Sequence, residues 1–106
     1  MELSEKIKKH ILSKSVLKSQ RRIGIEVECF VYKKNFSRIA VNKSDEYSAT
    51  DLLNELNNIN NDVNGTYSLE PGGQIEWSSP PCDNMFELDD ALSSHKRLLD
   101  SILIKR

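Results

Sequence analysis

Residues 66–81 read TYSLEPGGQIEWSSPP, and this stretch decides the architecture. Two extended runs, 66–70 and 74–79, flank Pro71-Gly72-Gly73. Proline's fixed φ and the missing Cβ of two glycines make that tripeptide a turn or a sharp strand kink. Pro80-Pro81 then blocks any continuation, because proline has no N–H to give to a ladder. Gln74 and Glu76 fall on one face of the second run, since strand side chains alternate.

Upstream, residues 22–33 read RIGIEVECFVYK and form the clearest strand of the chain. Ile23, Ile25, Val27, Cys29 and Val31 fall on one face; Gly24, Glu26, Glu28, Phe30 and Tyr32 fall on the other. The first face wants a core, and the second holds two acids side by side. Lys33 to Phe36 read as a connection, and Arg38 to Val41 as a returning second strand.

Helices are expected around these strands. Residues 3–18 carry Leu3, Ile7, Ile11 and Leu17 as an apolar stripe among lysines. Ser48-Ala49-Thr50-Asp51 is a capping box opening a helix with Leu52, Leu53, Leu56 and Ile59 at helical spacing. Asn57, Asn58, Asn60 and Asn61 end it, and Asn64-Gly65 signals a turn. Asn84, with Glu87 three residues on, caps a last helix striped by Leu88, Ala91, Leu92, Leu98, Leu99, Ile102 and Leu103. Helix, strands, helix, strands, helix, with short turns, implies an α+β fold: an antiparallel sheet with helices on one face and the other face open.

A chain of 106 residues suits one small domain with a marginal core. A formal net charge of -1 gives no whole-chain field toward nucleic acid. The charge is uneven, however: over residues 1–22 seven Lys and Arg stand against two Glu, a balance of +5. No apolar run spans a membrane and no secretory leader is visible, so a cytoplasmic location is expected. Cys29 and Cys82 lack zinc-ligand spacing and read as small apolar side chains in a reducing compartment. His10 and His95 suggest no catalytic base, and His95, near the stripe of the last helix, reads as a packed or partly exposed side chain.

The chemistry rests on acids. If the two acidic stretches share a sheet face, up to four carboxylates converge: Glu26, Glu28, Glu70 and Glu76. Crowded carboxylates repel, and at least one tends to hold its proton. A hard cation removes that repulsion, and oxygen-only ligands on a rigid sheet suit magnesium. Gly72 and Gly73 would let a backbone approach a ligand closely.

Residues 22–30, RIGIEVECF, resemble the first strand of the glutamate–cysteine ligase family, which reads Gly-hydrophobic-Glu-x-Glu-x-Phe in its plant and proteobacterial branch. Residues 67–81, YSLEPGGQIEWSSPP, resemble that branch's most specific motif, with Trp77 where an aliphatic residue is commoner. The resemblance implies part of a glutamine synthetase-like fold, the chain being the N-terminal portion of the catalytic domain. It implies an ATP-dependent carboxylate–amine ligase of glutathione biosynthesis, joining glutamate to cysteine through a γ-glutamyl phosphate. Carried over, Glu26, Glu28, Glu76 and Glu70 become magnesium ligands; Gln74, with Gly72 and Gly73, lines the substrate funnel. ATP is the co-substrate, and its basic ligands fall outside these 106 residues. The chain alone is therefore expected to be inactive, or to be completed by a second chain. The alternatives are a truncated, non-catalytic relic or binding module, and a related carboxylate–amine ligase with another acceptor.

Overall fold

The computed structural model describes residues 1–60 and 65–105. Three helices, α1 (Leu3–Ser13), α2 (Ala49–Ile59) and α3 (Met85–Leu103), accompany three strands, β1 (Glu26–Cys29), β2 (Thr66–Leu69) and β3 (Ile75–Ser78). The strands form one antiparallel sheet in the order β1-β3-β2. The α+β expectation holds.

The β2–β3 hairpin turns at Pro71 and Gly72. Gly73 N donates to Glu70 O (2.9 Å) and Glu70 N donates to Gln74 O (2.9 Å). Gly73 takes φ 91°, the left-handed residue that follows the turn in a three-residue hairpin loop. At the far end of β3, Ser79 stands opposite Ile25 and Cys82 opposite Ile23, so Pro80 and Pro81 together oppose Gly24. The prolines cannot donate, and the ladder bulges around them. Ile25 N finds Ser79 Oγ instead, at 2.9 Å.

Several expectations contract. The strand expected over 22–33 is regular only at Glu26–Cys29, because β3 is four residues long and, among the described residues, β1 pairs with no other strand. Isolated bridges at Ile23 and Tyr32 continue it at either end, and its burial alternation runs from Ile25 to Tyr32 as expected. Arg38 to Val41 forms single bridges, Arg38 with Tyr32 and Ala40 with Ser48, rather than a strand. The first helix stops at Ser13, short of residue 18. There Ser13 Oγ and Ser15 Oγ take the carbonyls of His10 and Leu12, competing with helix propagation. A short 3-10 turn follows at Lys18–Gln20.

The helix caps are as expected. Ser48 Oγ accepts from Asp51 N (3.2 Å) while Asp51 Oδ2 accepts from Ser48 N (3.0 Å). Asn84 Oδ1 accepts from Glu87 N (2.9 Å). Asn60 ends α2 as the sequence implied, its side chain donating to Gly65 O; Asn61 and Asn64 lie outside the described residues.

One face of the sheet holds the core. Leu52 and Leu56 of α2, Ala91 and Ile102 of α3, and Tyr67, Ile75 and Trp77 of the sheet form one cluster, with Val27 and Cys29 packed against it. Cys29 is half-buried and Cys82 buried, and both are free thiols, in keeping with apolar roles. Ile59, placed on the α2 stripe by spacing, is exposed instead. The α1 stripe of Leu3, Ile7 and Ile11 is exposed too, and α1 buries no residue at all. The core face is already filled by α2 and α3.

His95 is buried, as its place near the stripe of the last helix suggested. Its ring stacks on Trp77, with centroids 4.7 Å apart and planes 4° from parallel. Its Nδ1 lies 2.8 Å from Tyr67 Oη. Burial pushes the Tyr67 hydroxyl up to about 12 and holds His95 below its ordinary 6.5, against a smaller opposing pull from Asp100. A buried histidine that resists protonation favours unfolding in acid, because the unfolded chain then binds the extra proton. Stability is therefore expected to fall as pH drops below about 6.5 toward the lowered value. Denaturant melts across that window check this, and His95→Gln should flatten the slope. An unchanged slope in the variant would assign it to other groups.

Candidate metal and substrate face

The face opposite the core is open to solvent at Glu26, Glu28, Thr66 and Ser68. Strand register arranges it in rows. Glu28 stands directly across from Glu76, and Glu76 across from Ser68. One row on, Glu26 faces Ser78, which faces Thr66. At the turn end, Glu70 is across from Gln74, by the backbone bond already described. Facing residues of an antiparallel pair project to the same side. Glu26, Glu28 and Glu76 therefore share one face, as the strand periodicity predicted.

The electrostatics show the crowding. The Glu28 carboxyl is held above its ordinary value, first by a side-chain hydrogen bond with Glu76. Partial desolvation and the charges of Glu76, Glu70 and Glu26 push the same way. Glu28 therefore gives up its proton less readily than an isolated carboxyl, because ionising it sets a charge beside Glu76. Ser78 Oγ donates to Glu76 Oε1 at 3.3 Å. The donors are all hard oxygen, the type magnesium takes, and the Glu28–Glu76 pair is where a cation would relieve the repulsion. Among the described residues, no group of three or more His, Cys, Asp or Glu stands at ion-holding distance.

The turn packs more closely than the sequence suggested. A Cβ on Gly73 would sit 2.7 Å from Val41 Cγ2, and one on Gly72 would sit 2.5 Å from Gln74 Oε1. The two glycines thus serve the turn and its neighbours here. Gln74 Oε1 is buried without a hydrogen-bond partner, a polar atom with unused acceptor capacity at the edge of the acidic rows.

Arg38 is the residue that sequence reading missed. Its guanidinium lies over the Phe30 ring, 4.3 Å from the centroid, and donates to Gly72 O. A cation thus stands at the turn end of the acidic face, with Phe30 and Tyr32 paired beside it at 6.5 Å. No motif marked Arg38; its position depends on how the 33–41 connection folds back over the hairpin. A cleft of about 480 Å³, lined by Val31, Ile39, Tyr47 and Leu103, contains none of the four glutamates.

Neither a curated protein nor a solved structure matches the chain. A family profile described as glutamate-cysteine ligase family 2 matches residues 22–105, which hold both acidic strands, the turn and α2 and α3. The chain belongs to glutamate-cysteine ligase family 2, a glutamine synthetase-like family of ATP- and Mg²⁺-dependent carboxylate–amine ligases.

Proposed function

We propose that this chain supplies the metal-binding side of a glutamate–cysteine ligase-type site, of the plant and proteobacterial branch. The observation that carries the reading is the Glu28–Glu76 pair, flanked by Glu26 and Glu70 on a helix-free sheet face. Glu26, Glu28, Glu76 and Glu70 would hold magnesium, which when bound neutralises charge on a transferring phosphoryl group. Gln74, at the rim with Gly72 and Gly73, would offer its unpartnered oxygen to a substrate amine or hydroxyl. The substrates on this reading are glutamate, cysteine and ATP, and the setting a reducing cytoplasm, where Cys29 and Cys82 stay free. Phosphoryl transfer depends on several positioned parts at once, and this face is one of them. The described helices include none long and apolar enough to cross a membrane.

Magnesium that binds only the folded chain should raise its melting temperature by mass action. Replacing Glu26 and Glu28 together by Gln removes two mutually repelling charges and nearly keeps shape. The double variant should be at least as stable as the parent without metal, and should lose the magnesium response. Thermal melts of both proteins with and without millimolar magnesium, at fixed ionic strength, make the comparison. An equal, small shift in both would leave a solvated strand face and favour the non-catalytic binding module.

A further inference from the structure

Outside the acidic face, the largest unexplained feature is the N-terminal arm. Residues 1–22 carry a balance of +5, and residues 23–106 carry eight Lys and Arg against fourteen Asp and Glu, a balance of -6. All but the last residue of the arm precede the family match at 22–105. The arm projects: the radius of gyration is 18.1 Å, against about 13 Å for a compact chain of this length. Leu3, Ile7 and Ile11 recur every four residues and are 73%, 52% and 62% exposed. Lys6 and Lys8 border that stripe on either side.

The complementary surface lies at the start of α3. Phe86 is 83% and Met85 67% exposed. Asp89 and Asp90 follow at three and four residues from Phe86, so they share its side of the helix, and both are exposed. One surface is apolar with a basic border and the other apolar with an acidic border. Both stand uncovered in the same molecule. The root of the arm is pinned nearby: Ile23 pairs with Cys82, and Arg22 Nε lies 3.2 Å from Asp83 Oδ1.

We propose that α1 of one copy docks on the start of α3 of a second copy, and the reverse. The stripe of Leu3, Ile7 and Ile11 covers Met85 and Phe86, and Lys6 and Lys8 meet Asp89 and Asp90. Each chain carries both halves, so a twofold arrangement makes the contact twice and closes. The second contact forms within an existing pair, which strengthens a contact that one short helix makes weakly. Screening by salt should weaken it.

Charge reversal gives the test. Sedimentation equilibrium of the full chain should show a monomer–dimer equilibrium that shifts to monomer in high salt. Lys6→Glu with Lys8→Glu, and separately Asp89→Lys with Asp90→Lys, should each weaken dimerisation at least about tenfold by setting like charges together. Mixed in equal amounts, the two reversed proteins should dimerise again, because each arm then meets an opposite charge. That recovery also shows that both variants are folded. Three results would overturn the proposal: a monomer at every concentration, as when the arm folds onto its own α3; a dimer indifferent to both reversals; or a mixture that stays monomeric. Binding of the parent to anionic phosphatidylserine vesicles without dimerisation would overturn it in favour of a membrane surface.

Discussion

Replacing Trp77 by alanine is expected to cost about 3–5 kcal/mol, enough to leave little or no folded protein. Trp77 is fully buried at the centre of the sheet, across from Val27 on one side and Tyr67 on the other. It meets α3 by stacking on His95. Truncation empties a cavity under both helices and removes the ring that shields the imidazole. A chain of this size buries a smaller share of its surface than a larger domain does and has little stability to lose. Trp77→Leu, with the aliphatic type commoner at this position in the motif, should fold but lose part of the stability, because leucine cannot replace the stack. Guanidinium melts of the three proteins check the order. A Trp77→Ala protein within about 1 kcal/mol of the parent would mean that the core can collapse around the gap.

The second large effect is expected at Gly65. Its φ of 95° is disfavoured for any side chain, which alone costs about 1–3 kcal/mol. A Cβ there would lie 2.1 Å from Ser78 O and 3.1 Å from Trp77 Nε1. Backbone cannot swing away as a side chain can, so β2 must move against β3, adding about 1–3 kcal/mol of overpacking. Gly72→Ala is the matched control. Its Cβ meets the end of the flexible Gln74 side chain and its φ is not in the left-handed region, so a loss under about 1 kcal/mol is expected. Equal losses at the two glycines, measured by denaturant melts, would contradict this account.

The two acidic strands and the hairpin were legible in the sequence because their signals are local. Alternation along 25–32 reports burial directly, and proline with two glycines leaves the backbone few options. The caps of α2 and α3 were legible for the same reason, since a capping box closes within four residues. The family resemblance rested on these same local strings, and the profile match over residues 22–105 bears it out at the level of the family.

What failed to show was whatever depends on a partner distant in the chain. The periodicity of α1 is genuine, but a stripe states only that a helix could be covered, not that anything covers it. His95 read as a packed or partly exposed residue near an apolar stripe, but nothing local said what it packs against. Its burial follows from Tyr67, 28 residues away, and Trp77, which supply a hydrogen bond and a stacking face. Arg38 carried no motif, and it reaches Gly72 only because the connection folds over the hairpin. By itself, then, the sequence determined the strand faces, the turn, the caps and which side chains are acidic, since each is a property of neighbouring residues. Only the tertiary structure decided that Glu28 stands directly across from Glu76, because register between strands 48 residues apart sets that pairing and no local rule contains it.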